Sequence, residues 1–303
     1  MPEFGFGIMQ LYNLLEKLRE FAVHMKTAGG EIREEEFSGI LTHCGFTPEQ
    51  TNALLNRLTL PKRLAWNTEL PPRCSEHDVY PWRYRRQLSL LVRPLVELTK
   101  SPRSWFLSIP MLEQATSYLV GNVERAYFPE AFFASPEMRR YVGEMANKRG
   151  HDFACRVETV FSTVGLKTSL ELEMTALGAA KNDGLGDIDV LAWNPAKGHV
   201  YAVECKCLRT ASSIREVVQR LEDFRGNRKE KDSLARHLRR MDWITAHVEA
   251  IAKYTGIVEA RIKLMPLLVT NETVPMQFFK EMKFPTAQVI PFQKLSKLFQ
   301  SRG

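Results

Sequence analysis

The stretch GDIDVLAWNPAKGHVYAVECK, which runs from Gly186 to Lys206, decides the fold of this 303-residue chain. Two hydrophobic runs flank the turn-forming sequence NPAKG, and this pattern predicts two antiparallel strands joined as a hairpin. The hairpin also carries four charged residues, Asp187, Asp189, Glu204 and Lys206. An ionised side chain in a hydrophobic core is costly unless it is paired. These four residues therefore need partners.

The alternation of side chains across a strand predicts which charges lie together. Asp187 and Asp189 face one way in the first strand, and Glu204 and Lys206 share a face in the second. Pairing of the strands brings Asp189 beside Glu204 and Lys206. Converging carboxylates repel each other, and a hard divalent cation removes that penalty because Mg²⁺ binds oxygen ligands. The pattern predicts a metal-dependent phosphodiesterase site in which Lys206 orients or deprotonates the attacking water.

The same charges also fit an exposed edge hairpin with a surface ion pair. The flanking runs VLAW and VYAV instead favour a central strand that is buried on both faces. Asp187 has two interpretations, a further metal ligand or a polar turn residue. The thiol of Cys205 is predicted to point into the core, whereas the backbone carbonyl of Cys205 is a candidate metal ligand.

GDIDVLA followed by AVECK resembles the core motif of the PD-(D/E)xK nuclease superfamily, in its Mrr-type and Holliday-resolvase-like branch. The Asp, Glu and Lys of that motif match Asp189, Glu204 and Lys206, and the resemblance extends from Arg149 to the C-terminal strands. It implies a restriction-endonuclease-like domain whose carboxylates bind Mg²⁺ or Mn²⁺. The implied activity is endonucleolytic hydrolysis of nucleic acid in bacterial defence, restriction or repair. DNA is the favoured substrate and RNA is the alternative.

Two further positions of the family pattern are less regular in this chain. The family usually places an acidic residue in a G-x-x-F-E pattern on the helix before the sheet, where this chain has Ala154. Glu158 lies one helical turn later and is the candidate replacement, with a solvated helix flank as the alternative. Gln219 resembles a glutamine that often follows E-x-K on the next helix, and a plain surface glutamine is the alternative.

The charge of the chain favours a polyanionic partner. The formal net charge is +7, and basic residues crowd the region after the hairpin. A nuclease must hold backbone phosphates close to its carboxylates, so these residues are candidate phosphate contacts, with a solvated helix face as the alternative. The candidate nucleic-acid-binding residues are Arg225, Arg228, Lys229, Lys231 and Arg236.

The change from helical to strand patterns near residue 145 predicts two domains. Residues 1–145 are expected to form an all-helical domain of unknown role. Residues 146–303 are expected to form an α/β domain with a mixed sheet flanked by helices. Helices are predicted over 11–25, from Pro48 behind an N-cap at Thr47, over 81–99, over 111–120 and over 136–148, with another from 151 to 165.

The remaining features restrict the setting of the protein. Its five cysteines are scattered and odd in number, which argues against a disulfide framework and favours the cytoplasm. No segment has the apolar length of a membrane span, so no membrane partner is expected. Two other functions fit the sequence: a catalytically silent nuclease-like module that binds nucleic acid or assembles a larger complex, and an RNA-cleaving effector. The sequence is compatible with a homo-oligomer and with partner subunits of a larger complex.

Overall fold

The computed structural model describes residues 3–63, 65, 68–70, 74–80, 87–128, 132–209, 211, 214–224, 233–278 and 288–300. The chain divides into two compact units, Met1–Ala146 and Asn147–Gly303, with the border close to the expected position. Each unit combines a β-sheet with helices, which confirms the α/β class. Within the described ranges, no helix has both the length and the apolar character that a membrane crossing requires.

The N-terminal unit contains helices where the sequence predicts most of them. The N-cap at Thr47 is confirmed, because the Thr47 side chain accepts a hydrogen bond from the backbone N–H of Gln50 while the Gln50 side chain accepts one from Thr47. The helices are α1 (Ile8–Met25), α2 (Glu34–His43), α3 (Pro48–Leu58) and α4 (Ile109–Glu124).

The prediction that the N-terminal unit is all-helical is wrong, because this unit also contains a four-stranded sheet of order β1-β4-β3-β2. The strand β3 occupies the end of the stretch 81–99 that was predicted to be helical, and residues 81–86 lie outside the described residues. Leu95 and Glu97 are buried while their neighbours are less so, which is the period of two of a strand. This strand is stabilised by antiparallel pairing with β4 and by a short parallel pairing with β2. The strands are β1 (Gly29–Arg33), β2 (Thr59–Leu60), β3 (Leu95–Lys100) and β4 (Arg103–Ser108).

The C-terminal unit is built on a five-stranded mixed sheet of order β5-β6-β7-β8-β9. The first three strands pair antiparallel, and β8 and β9 continue the sheet in parallel. The strands are β5 (Lys167–Glu173), β6 (Asp187–Asn194), β7 (His199–Lys206), β8 (Lys263–Thr270) and β9 (Val289–Pro291). The helix α5 (Pro136–Thr163) begins in the N-terminal unit and continues into this one. The other helices of the C-terminal unit are α6 (Ile214–Asp223), α7 (Ser233–Ala246), α8 (Val248–Thr255), α9 (Phe292–Leu295) and α10 (Lys297–Gln300).

The helix α5 is continuous where the sequence predicts two helices separated at Gly150. A single glycine inside a helix costs only about 1 kcal/mol relative to alanine. Phe153, Val157 and Phe161 follow Gly150 at helical spacing and are all buried. The burial of this stripe outweighs the local preference for a break.

Helices cover both faces of the C-terminal sheet. Buried residues of α5 pack with Val190 and Val203 on one face. Residues of α7 and α8 pack with Leu191 and Ala202 on the other. The strand β7 lies in the middle of the sheet, and its residues from Val200 to Cys205 are buried. The hairpin is therefore central, and the alternative of an exposed edge hairpin is excluded.

The turn between β6 and β7 requires a glycine at position 198. Gly198 has φ +72°, and its N–H donates to the carbonyl of Asn194. A Cβ atom built on Gly198 would lie 2.1 Å from the carbonyl oxygen of Arg261. Backbone conformation and close approach therefore both exclude a side chain here. This turn fixes the register that aligns the charged ends of the two strands.

Candidate active site

The ends of β6 and β7 bring Asp189 and Glu204 together. The last ladder pair before the strand ends is Val190 with Val203, so Asp189 and Glu204 occupy the next position on each strand. Here the side chain of Asp189 accepts a hydrogen bond from the backbone N–H of Cys205, with 2.5 Å between Oδ2 and N. The carboxylate thus takes a place in the ladder that a backbone carbonyl normally fills, and its position is fixed against β7.

Glu204 is the centre of a buried charged cluster. It is 3% exposed, and its Oε1 lies 2.7 Å from Nζ of Lys206. Its Oε2 lies 2.6 Å from Nη2 of Arg240, which is also 3% exposed and reaches the strand from α7. His237, one turn earlier on α7, has Nδ1 3.8 Å from the same oxygen. Both oxygens of the Glu204 carboxylate are therefore held by cations.

The charges of this cluster follow from its burial and its partners. Burial by itself raises the pKa of Glu204, but Lys206, Arg240 and His237 act in the other direction, and the result is a lowered pKa. Burial lowers the pKa of His237 to about 4, although Glu204 partly opposes this effect. At neutral pH the imidazole is uncharged, and Glu204 is balanced by Lys206 and Arg240 rather than by His237.

Asp189 is the residue of the site whose ionised form is disfavoured. Burial, followed by the neighbouring charge of Glu204, raises the pKa of Asp189 to about 7, and the hydrogen bond from Cys205 and the cations of Lys206 and Arg240 only partly offset this. Because the pKa of Asp189 in the folded protein lies above the ordinary value of 3.8, the contribution of Asp189 to stability is most favourable below about pH 4 and is lost as pH rises through 7.

We therefore expect Asp189→Asn to stabilise the protein at pH 8 in the absence of divalent metal. The amide keeps an acceptor for Cys205 but removes the carboxylate charge, so the free energy of unfolding should rise by about 2 kcal/mol. The gain should shrink toward pH 4, where Asp189 is protonated in the wild type. Urea denaturation at a series of pH values measures it. Asp242→Asn, at an exposed site on α7, is the matched control; equal effects would refute the electrostatic explanation.

The structure does not bring Glu158 into this cluster. Its carboxylate accepts a hydrogen bond from the hydroxyl of Thr168 on β5. Thr168 pairs with Ala192, which is three residues along β6 from Asp189. The prediction that Glu158 replaces the acidic residue of the helix therefore has no support from these contacts. Gln219 lies in α6, but the position of its side chain is outside the described structure.

Asp187 and Cys205 contribute through their backbones. The carbonyl oxygen of Asp187 accepts a hydrogen bond from Nη1 of Arg240, so one guanidinium joins α7 to both strands. The Asp187 carboxylate makes no hydrogen bond or ion pair with any described residue. The Cys205 thiol packs in the core, as predicted, among residues such as Val203 and Val269.

His237 was not predicted as a site residue. Arg240 belongs to the basic region that was predicted to contact phosphates, but it is buried against Glu204 instead. Leu234, His237 and Met241 are buried and lie at helical spacing along α7. This spacing indicates which face of α7 packs on the sheet. Arg236 is exposed on the same helix and is available to solvent, unlike Arg240. The other candidates, Arg225, Arg228, Lys229 and Lys231, lie outside the described residues.

Residues 1–289 match a protein-family model whose description is "Anti-phage protein Upx-like". The chain belongs to the Upx-like family of anti-phage proteins. The match includes all of the N-terminal unit and most of the C-terminal unit. No curated protein and no solved structure matches the chain. Family membership identifies a defence protein.

Asp189 and Glu204 are two candidate carboxylate ligands for a metal ion. Among the described residues, no group of three or more His, Cys, Asp or Glu side chains is arranged to hold a metal. Mg²⁺, however, is commonly held by only one or two carboxylates, with water and substrate phosphate completing its shell. Asp189 and Glu204 supply two such carboxylates at adjacent positions of neighbouring strands.

Proposed function

We propose that this anti-phage protein is a metal-dependent nuclease that hydrolyses phosphodiester bonds, with DNA as the favoured substrate. The observation that carries the proposal is the meeting of Asp189, Glu204 and Lys206 at the ends of two central strands. The resemblance of this hairpin to the PD-(D/E)xK motif supports it, and an anti-phage family is a setting in which cleavage of invading nucleic acid is useful.

Asp189 and Glu204 would hold Mg²⁺ or Mn²⁺, together with the backbone carbonyl of Cys205. The metal would lower the pKa of a bound water and stabilise negative charge on the phosphate. Lys206 is 28% exposed in its side chain, so its ammonium group can reach substrate while it remains 2.7 Å from Glu204. From this position Lys206 would orient the attacking water or neutralise a phosphate oxygen.

Arg240 would have a different role from Lys206. It is buried, and it contacts Glu204 and the backbone of Asp187. Its guanidinium therefore holds the carboxylate in place and links α7 to the strands that carry the acidic residues. Arg240 is a positioning residue in this proposal.

A cleavage assay tests the proposal directly. Purified protein is incubated with single- and double-stranded DNA and RNA in Mg²⁺, in Mn²⁺ and in EDTA. Metal-dependent cleavage of DNA that Asp189→Asn abolishes is the expected result. Cleavage of RNA alone would instead support an RNA-cleaving effector. Mn²⁺ binding is monitored by the electron paramagnetic resonance signal of the ion. This measurement shows whether the variant fails to bind metal or binds metal but fails to cleave.

A catalytically silent module is the second candidate, and one observation favours it. Both oxygens of Glu204 are already engaged by Lys206 and Arg240, so a metal must compete with two cations for this carboxylate. A silent module would bind nucleic acid or assemble a larger complex without cleaving anything. Binding of DNA or RNA with no cleavage under any metal condition would establish this alternative.

The exposed Arg236 gives a prediction for binding. We expect Arg236→Ala to weaken DNA binding several-fold and to reduce the slope of log affinity against log salt concentration by about 1, because one phosphate contact is lost. Fluorescence anisotropy at several salt concentrations measures both quantities. Arg19→Ala, which removes an exposed arginine of α1, is the control. An unchanged salt slope in Arg236→Ala would remove this residue from the interface.

A further inference from the structure

Three side chains with complementary chemistry meet on α5 and β5. Nδ1 of His151 lies 2.7 Å from Oε1 of Glu171, and Nε2 of the same ring lies 3.5 Å from Sγ of Cys155. His151 and Cys155 are four residues apart on α5, so they share one face of the helix. The side chains of His151 and Glu171 are about half exposed, and Cys155 is partly exposed. Small molecules therefore have access to the group.

The hydrogen bonds fix the direction of proton transfer within this group. A carboxylate can only accept, so the Nδ1 atom that faces Glu171 carries the proton. In the neutral ring, Nε2 then presents its lone pair to the thiol of Cys155. This is the arrangement of nucleophile, base and orienting carboxylate found in sites of nucleophilic catalysis.

The backbone of Glu171 is held in an unusual conformation. Glu171 has φ +48°, a left-handed conformation that few residues other than glycine adopt. It lies between the paired residues Leu170 with Val190 and Leu172 with Ile188, where the ladder is interrupted. A non-glycine residue in this region is strained, so the surrounding sheet must hold it there. The result is a carboxylate directed at His151.

We propose that Cys155, His151 and Glu171 form a thiol-reactive site whose substrates are small disulfides and other soft electrophiles. Cys155 is the nucleophile, His151 is its base and Glu171 is a positioning residue. This proposal does not depend on the nuclease function, because it uses none of the residues proposed to cleave nucleic acid.

The reaction with a disulfide is balanced without a further reagent. The Cys155 proton passes to Nε2 of His151, and the thiolate attacks one sulfur of the disulfide. A new S–S bond forms to Cys155 as the old S–S bond breaks. The departing thiolate takes the proton from the His151 imidazolium and leaves as a thiol. One thiol and one disulfide thus become one mixed disulfide and one thiol.

The charges around the imidazole support this chemistry. The hydrogen bond that His151 donates to Glu171 and the charge of Glu171 raise the pKa of His151, and Asp152 on the same helix acts in the same direction, so the imidazolium that stabilises a thiolate is favoured. Burial raises the pKa of the thiols of Cys44, Cys74, Cys205 and Cys207. These four cysteines are internal controls in the same chain.

The test is a labelling experiment resolved by cysteine. The 303-residue chain is treated with the aromatic disulfide DTNB, or in parallel with iodoacetamide, at pH values from about 5.5 to about 8.5 in steps of about half a unit. Mass spectrometry of peptides then gives the rate at each cysteine. We expect Cys155 to react about tenfold faster than Cys207 at neutral pH, with a rate that persists toward low pH. His151→Gln should reduce the rate at Cys155 about tenfold and leave Cys44 unchanged.

Glu171→Gln separates positioning from reactivity. It should move the pH profile of Cys155 labelling toward higher pH, because the imidazolium loses its carboxylate partner. Thermal unfolding checks that both variants remain folded. The proposal is overturned if Cys155 reacts no faster than Cys207, or if His151→Gln leaves its rate and pH profile unchanged.

Discussion

Replacement of Lys206 by alanine is expected to reduce phosphodiester cleavage by about 10²–10⁴-fold while nucleic-acid binding survives. Lys206 is the one member of the cluster that is both in contact with Glu204 and partly exposed to solvent among the described side chains. In the proposed nuclease site, its loss would remove the exposed charge that faces substrate but would leave Arg240 to balance Glu204. The folded state should therefore be preserved. Single-turnover cleavage with saturating protein measures the effect on the chemical step alone.

Two further variants make the Lys206 result interpretable. Lys206→Met keeps an apolar chain of similar length and should be as inactive as Lys206→Ala, since the ammonium group is what matters. Lys253→Ala, at an exposed site on α8, should cleave like the wild type. Full activity in Lys206→Ala would mean that the active site lies elsewhere.

The second large effect concerns stability. Glu204→Gln is expected to lower the free energy of unfolding by about 3–5 kcal/mol at pH 7, because it leaves the buried guanidinium of Arg240 without a balancing charge. This variant should also be inactive. Urea denaturation of the C-terminal unit measures the loss. The pKa of Glu204 is lowered in the folded protein, so its stabilisation is present above about pH 4.5 and is lost at lower pH.

A double-mutant cycle identifies the cause of the instability. Glu204→Gln combined with Arg240→Met should lower the free energy of unfolding by less than the sum of the two single changes. Each single variant leaves one buried charge without its partner, whereas the double variant removes both charges. Glu249→Gln, the same substitution at an exposed site of α8, should change stability by no more than about 0.5 kcal/mol. Strict additivity in the cycle would show that Glu204 and Arg240 are not energetically coupled.

The C-terminal sheet was predictable because its signals are local. The hairpin from β6 to β7 has alternating charges, a turn-forming sequence and two apolar runs, and each of these features indicates the same structure. The N-terminal strands β1, β3 and β4 were not predicted. They are short, and their stability comes from pairings such as Ile32 with Trp105, which no local pattern reveals.

The candidate site was only partly predictable for a similar reason. Strand parity is enough to bring Asp189 to Glu204 and Lys206, since all three lie in one hairpin. Arg240 lies 36 residues after Glu204, and its contact with that residue depends on how α7 docks on the sheet. Arg236 and Arg240 look alike in the sequence, and only the burial of one face of α7 distinguishes a surface arginine from a site arginine.

The contacts of the Arg240 guanidinium restrict which substitutions can accumulate in this family. It binds Glu204 and the backbone of Asp187, so loss of the acid alone would strand a buried cation. A lineage is expected to lose Glu204 and Arg240 together or to keep both. The residue aligned with Arg240 should then serve as a second sequence marker for members that retain the acidic site. Relatives that keep the arginine without its glutamate should be rare.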